Sequence, residues 1–313
     1  LKEGKGKELT LANCTYNKGA IIFAVMIHNL SYQYTTESIL LSGGENIFYI
    51  DEGKGAQTLL MIHGLANNAL SWQKNIEVLR KQFRCIAIDL PGNGFSTLIK
   101  EECSMKYFAN IILELIERLK LKEVVIFGHS MGGQIAITTA LLNPECCKKL
   151  FLFAPAGLEY FSSFEITIYK SGINFLDFFS TEENSLTKLI RSSFYHHTHQ
   201  ADDMINDLIE LMHRQPVGQY RKMVEGCIDA MLHEPVYGQL DKLQQETIVI
   251  FGERDVLIPN RFLHPVTTRQ FAETEVKKIP LHQLHIIPNA GHFIHWEKAE
   301  MVNEIVKSVL TGN

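Results

Sequence analysis

Three side chains, far apart along the 313 residues, have the types needed to attack a carbonyl: the hydroxyl of Ser130, the imidazole of His292 and the carboxylate of Asp255. Nucleophilic hydrolysis requires an activated hydroxyl, a base of near-neutral pKa to take its proton, and an anion that holds the base in the right tautomer. Ser130 is the centre of Gly128-His129-Ser130-Met131-Gly132, with a glycine two residues to either side. Alone, that pentapeptide also fits a glycine-rich turn whose serine caps a helix. The elements around it decide between the readings.

Val124 to Phe127 is a continuous apolar, β-branched run that reads as a strand buried on both faces, and Gln134 to Leu142 reads as a helix. Only the residues around Ser130 join them. So tight a turn strains its central residue and needs flanking residues without a Cβ, which Gly128 and Gly132 provide. The serine hydroxyl would then stand above the sheet at a helix N-terminus, where free N–H groups favour developing negative charge. A second signal is His63-Gly64-Leu65, directly after the apolar strand Thr58 to Ile62. The glycine lets the Leu65 N–H turn into a cleft, where with the N–H of Met131 it would form an oxyanion hole, His63 supporting the loop. Asp255 follows a strand over Thr247 to Phe251, and His292 follows one over Gln283 to Ile287. All these residues lie past strand ends, so they would meet at the C-terminal edge of a mostly parallel sheet, where open α/β folds bind ligands.

The remaining elements complete the frame. Ile39 to Leu41 and Ile47 to Asp51, joined by Ser42-Gly43-Gly44-Glu45-Asn46, read as a hairpin at the sheet edge. Strands are expected over Arg84 to Asp89 and Lys149 to Ala154, and helices over Trp72 to Lys81, Met105 to Leu119, Arg261 to Glu273 and Ala299 to Leu310. From Leu158 to about Leu240 the alternation stops, and four amphipathic segments (Ser163 to Phe179, Ser185 to Phe194, Ala201 to His213, Val217 to Leu232) replace it. The expected organisation is a core over 1–157 and 241–313 with an inserted helical cap over 158–240. Tyr160, Phe161, Phe164, Tyr169, Phe175, Phe178 and Phe179 open that insertion, a set suited to cover a lipophilic site.

Composition narrows the function classes. A hydrophobic fraction of 46% allows a sizeable core, and a formal net charge of -5 provides no basic field of the kind nucleic acids select. The six cysteines (Cys14, Cys85, Cys103, Cys146, Cys147, Cys227) form no C-x-x-C pair and sit mostly in apolar patterns, as reduced core residues do. A reducing, cytoplasmic compartment is therefore the expectation. The apolar run Gly19 to Ile27, too short to span a bilayer, leaves export open. His196, His197 and His199, near Asp202 and Asp203, match no metal-site spacing, and neither a metal nor a cofactor is expected.

From His63-Gly64, through Gly128-His129-Ser130-Met131-Gly132-Gly133, to Asp255 and Gly291-His292, the chain resembles a capped α/β-hydrolase, with the family's order Ser, Asp, His. The stretch from Gly128 through Ala154-Pro155-Ala156-Gly157-Leu158 is most similar to monoacylglycerol-lipase-like members and to carbon–carbon bond hydrolases of aromatic degradation. The resemblance implies an α/β-hydrolase fold with a mostly parallel twisted sheet, and an esterase that forms an acyl-enzyme with a small lipophilic or aromatic ester, without membrane association. It favours Asp255, by its spacing to Pro259, over Glu253, and His292, directly after Gly291, over His295; His129 is left to packing and hydrogen bonding. Members that form an alkyl-enzyme ester carry aspartate in place of Ser130, so their chemistry is excluded. Two alternatives stay open. One is a carbon–carbon hydrolase with Arg191 or Arg214 holding a substrate carboxylate; the other is a ligand receptor or scaffold with little turnover.

Overall fold

The computed structural model describes residues 32–99, 102–175, 190–196, 199–213 and 217–312. The run Gly19 to Ile27, Cys14, His197, Arg214, Phe178 and Phe179 lie outside these residues, as do the side chains of Phe175, His199 and Asp203. Residues 1–35 and 36–313 are separate compact units, and everything below concerns the second.

Eight strands form one sheet in the order β1-β2-β4-β3-β5-β6-β7-β8. They are β1 (Thr36–Leu40), β2 (Asn46–Glu52), β3 (Thr58–Ile62), β4 (Arg84–Ile88), β5 (Val124–His129), β6 (Lys149–Phe153), β7 (Glu246–Gly252) and β8 (His282–Ile287). β2 pairs antiparallel with β1 and with β4; every other neighbouring pair is parallel. Parallel pairing needs both faces covered, which is why β3 and β5 are apolar without alternation and buried along their whole length.

Successive side chains leave the sheet on opposite sides. Leu60, Ile62, Ile86, Ile126, Leu150 and Leu152 enter one core with helices α2 (Met105–Arg118) and α3 (Met131–Leu142). Phe127, Phe151 and Phe153 point the other way, where Trp72 meets Phe153 edge-on at 5.2 Å and Phe127 at 6.2 Å. On that side α1 (Gln73–Leu79) is tied to the C-terminal helix by the Asn75 amide donating to Asn303 Oδ1 at 2.9 Å.

Between β6 and β7 the described residues form no strand. They form α4 (Ser163–Phe175), α5 (His199–His213) and α6 (Val217–His233). The last helices are α7 (Thr268–Glu275), α8 (Ile294–Glu297) and α9 (Ala299–Thr311). Two helix starts differ most from the sequence reading. α3 starts at Met131 rather than Gln134, so Gly132 and Gly133 lie inside the helix and the turn shrinks to Ser130 itself. α7 starts at Thr268 rather than Arg261, because Thr267 and Gln270 make a capping box that fixes the helix start.

Candidate active site

Ser130 has φ 53° and ψ -118°, a conformation that costs about 1–3 kcal/mol and persists only where its surroundings impose it. The surroundings are tight backbone. A Cβ on Gly128 would lie 2.4 Å from the Gly132 carbonyl oxygen, and one on Gly132 would lie 2.4 Å from that of Ile62. The Ser130 N–H donates to the Phe153 carbonyl at 3.0 Å, and its carbonyl accepts from Gly133 and Ala156. The hydroxyl is therefore carried between the ends of β5 and β6. Met131 supplies the first N–H of α3, whose opening N–H groups have no partner within the helix.

The His63-Gly64-Leu65 loop lies against the serine. A Cβ on Gly64 would approach Ser130 Cβ to 3.1 Å. His63 is fully buried and uses both nitrogens: Nδ1–H donates to the Gly64 carbonyl at 2.7 Å, and Nε2 accepts from the Leu90 N–H at 3.0 Å. Burial lowers its pKa to about 4, so it is a neutral strut between two loops.

Asp255 lies just past β7 with its carboxylate out of contact with solvent. Oδ1 accepts from the N–H groups of Leu257 and Ile258 at 2.8 and 3.1 Å, and Oδ2 accepts from His292 Nδ1–H at 2.9 Å. That bond leaves Nε2 as the free nitrogen of the imidazole. His292 is delivered by the turn after β8, which runs so close to β7 that a Cβ on Gly252 would meet the Gly291 carbonyl oxygen at 2.2 Å. The His292 N–H donates to the Ser193 carbonyl at 2.8 Å, and its carbonyl accepts from His129 Nε2–H at 3.0 Å.

The rival residues are placed elsewhere. Glu253 meets the guanidinium of Arg269 at 3.3 Å. His295 is fully buried against Trp72 and His129, and burial lowers its pKa to about 3. His129 is held well below the usual histidine range by burial and by the neighbouring His295 and His292.

Gly64, Leu65, Ser130 and His292 share a cavity of about 440 Å³, within the size range of small-molecule sites. Its walls are mostly apolar, with Tyr220, Val224, Ile228 and Met231 from α6 and Val256, Leu257 and Ile258 from the loop after Asp255. Of the aromatic set at the start of the insertion, Phe161 and Tyr169 line it. Tyr160 and Phe164 turn outward, 54% and 73% exposed, so the set divides between wall and surface. Arg191 pairs with Asp202 at 2.9 Å and is absent from the lining; the arginine on the wall is Arg261, whose guanidinium donates to the Asp255 carbonyl at 2.9 Å.

Three carboxylates not singled out in the sequence organise these loops. Glu297 accepts from the N–H of Gly291 and of Tyr195, both at 2.9 Å, joining the histidine turn to the insertion. Its position five residues after His292, within reach of that turn, was the available signal. Glu159, on the cavity wall, accepts from the Asn260 N–H at 2.9 Å and pairs with His264 at 2.5 Å, and His264 in turn meets Glu165 on α4 at 3.2 Å. Burial opposes the charge of His264, but its bonds to Glu159 and Glu165 raise its pKa above 6.5. No sequence signal links residues a hundred positions apart.

Among the described residues no group of three or more His, Cys, Asp or Glu is placed to hold a metal, and no helix is long and apolar enough to cross a membrane.

A family model for the alpha/beta hydrolase fold matches residues 57–299. The uncharacterized hydrolase YugF of Bacillus subtilis is 25% identical over 279 residues, covering 83% of this chain and 93% of its own. A Pseudomonas putida protein named 2-hydroxy-6-oxononadienedioate/2-hydroxy-6-oxononatrienedioate hydrolase 1 is 28% identical, covering 88% and 97%. Among solved structures, an esterase from Exiguobacterium antarcticum superposes with a TM-score of 0.74 at 22% identity over 88% of this chain and 98% of its own, a likeness of fold.

Proposed function

Because the chain belongs to the α/β-hydrolase fold family, we propose that it is a serine hydrolase cleaving a carboxylic ester with a lipophilic or aromatic acyl group. The observation that carries the reading is the pairing of His292 with a buried carboxylate on the same apolar cavity that Ser130 faces. Ser130 Oγ attacks the ester carbonyl while His292 Nε2 takes its proton. Asp255 stabilises the imidazolium, and the N–H groups of Leu65 and Met131 hold the oxyanion. His292 returns the proton to the leaving alcohol as the acyl-enzyme forms. Water, deprotonated by the same nitrogen, then releases the acid. The helices between β6 and β7 act as the cap that sizes the acyl pocket.

The test is fluorophosphonate labelling of the wild type and of Ser130→Ala, with peptide mapping, beside a chain-length series of p-nitrophenyl esters. Labelling confined to Ser130 with a chain-length optimum is expected. Full activity in Ser130→Ala would overturn the mechanism.

A second reading, carbon–carbon hydrolysis of a vinylogous diketone, draws support from the Pseudomonas putida relative and from Arg261 on the cavity wall. It needs a cation for the substrate's second carboxylate. Exclusive turnover of a coloured dienoate in the same panel would put this reading first. A receptor or scaffold with little turnover would instead show slow single-turnover labelling with tight ligand retention; the intact Asp255–His292 pair speaks against it.

A further inference from the structure

Ser130 and His292 arrive from strands that are not neighbours, since β6 and β7 lie between β5 and β8. At about 4.8 Å per strand the two strand ends stand roughly 14 Å apart, so the turn that carries His292 must reach back over two strands to meet the serine. It lands on His129, the residue before Ser130. The His129 ring lies 4.9 Å from that of His292, 5.2 Å from that of Phe293 and 4.4 Å from that of His295, centroid to centroid, so three side chains of the turn close around it. Its Nε2–H donates to the His292 carbonyl at 3.0 Å. Among the described residues no other hydrogen bond joins residues 128–133 to residues 288–297. We propose, on the hydrolase reading above, that His129 is a positioning residue: its neutral imidazole sets where the His292 backbone stands relative to Ser130, and so where the base meets the hydroxyl.

The other ties of the turn lead elsewhere. The His292 N–H donates to the Ser193 carbonyl in the insertion at 2.8 Å, the Gly291 N–H donates to Glu297 at 2.9 Å, and the imidazole Nδ1–H donates to Asp255 at 2.9 Å. These fix the tautomer of the base and the shape of its turn, but none refers the turn to the nucleophile. His129 does, because it is the last residue of β5 and is paired in register with Phe153 of β6. Its position is that of the sheet, and its neighbour along the chain is Ser130 itself.

The arrangement admits one protonation state. A carbonyl only accepts, so the His129 proton is on Nε2 and Nδ1 is bare. Nδ1 is buried and has no partner among the described residues, so a second proton there would be an N–H without an acceptor. His129 therefore stays neutral, and the imidazolium that forms at His292 during attack meets no like charge from the ring beside it.

The experiment compares His129→Phe, which keeps a ring but loses the donor, with His129→Gln, whose amide nitrogen reaches the place of Nε2. Each is assayed for kcat and KM on the preferred p-nitrophenyl ester, well below its melting temperature, and by proton NMR for the His292 Nδ1–H resonance. His129→Phe should lower kcat about 10²-fold with KM little changed, the scale of a small misplacement of a catalytic group, and should broaden the resonance by exchange with solvent. His129→Gln should recover most of kcat and a sharp resonance. Should His129→Phe fold poorly, His129→Asn, whose amide stops short of the Nε2 place, replaces it. Equal losses with and without the donor, or full activity in His129→Phe, would overturn the proposal. The resonance does not depend on turnover: an unlabelled Ser130 in the wild type defeats the hydrolase reading, whereas a resonance as sharp in His129→Phe as in the wild type defeats the positioning role.

Discussion

Replacing Asp255 by Asn changes one atom type at the point where the candidate site is most constrained. In the native arrangement Oδ1 receives two backbone N–H groups, from Leu257 and Ile258, while Oδ2 receives His292 Nδ1–H. The two N–H groups fix the amide: its oxygen takes the Oδ1 place, and its NH₂ then faces His292. Nδ1 must accept from that NH₂, the imidazole proton moves to Nε2, and Nε2, the base of the proposed mechanism, can no longer take a proton. In the serine-protease triad the same substitution lowers kcat by ~10⁴, which corresponds to roughly 5 kcal/mol of transition-state stabilisation. A similar loss is expected here, because Asp255 is buried and the exchange of tautomer is the same. The assay is kcat/KM on the preferred p-nitrophenyl ester, with circular dichroism to verify folding. Glu253→Gln is the companion, and its carboxylate engages Arg269 instead, so little change is expected. If folded Asp255→Asn keeps activity within about tenfold of the wild type, or Glu253→Gln falls as far, the assignment of the acid is refuted.

Other expectations follow from the same contacts. Gly132→Ala should cost about 3 kcal/mol or more in urea denaturation, since its Cβ would press on the Ile62 and His63 carbonyl oxygens, and soluble yield should drop with it. His63 and His295, lowered by burial to about 4 and about 3, take up protons on unfolding between those values and 6.5. Their contribution is complete above pH 6.5 and is lost as pH falls, about 3 kcal/mol for His63 and about 5 kcal/mol for His295 at full effect, so denaturation midpoints should drop steeply in acid. His264 has the opposite sign: its pKa is raised, so its contribution is complete below 6.5 and is lost as pH rises through the raised value. The stability gap between wild type and His264→Gln should therefore narrow with increasing pH, and a gap that widens would refute the Glu159–His264–Glu165 pairing. Glu297→Ala should leave Gly291 and Tyr195 N–H groups without their acceptor and lower kcat more than it raises KM, as measured on the same ester.

The sheet was readable because parallel strands buried on both faces leave unbroken apolar runs; Thr58 to Ile62 was placed to the residue. The candidate residues Ser130 and Asp255 follow such runs, whereas His292 follows the half-exposed edge strand β8 and is marked in the sequence by Gly291 before it. What stayed hidden depends on contacts between distant segments. The helix expected from Arg261 starts only at Thr268, because Pro265 breaks the apolar spacing of Phe262, Leu263 and Val266 and the Thr267 cap bonds Gln270. The outward turn of Tyr160 and Phe164 was hidden because composition places aromatics near a site without giving their direction, and Tyr160 finds its partner in Tyr237, 77 positions on, at 5.6 Å between ring centroids. Glu159 was missed because its partners, Asn260 and His264, belong to the acid loop.

The helical insertion leaves the chain after β6 and returns at β7, yet those two strands are hydrogen-bonded neighbours from Lys149 to Phe153 and Glu246 to Ile250. The excursion is thus a closed loop hung on a seam that the sheet makes for itself. Closing such a loop costs about 0.6 kcal/mol more for each doubling of its length, a small sum beside the pairing of two fully buried strands. Segments of very different length and sequence can be hung on that seam with little change in foldability. Mutation and recombination can then reshape what enters the cavity while Ser130, Asp255 and His292 stay on loops that follow strands of the one sheet.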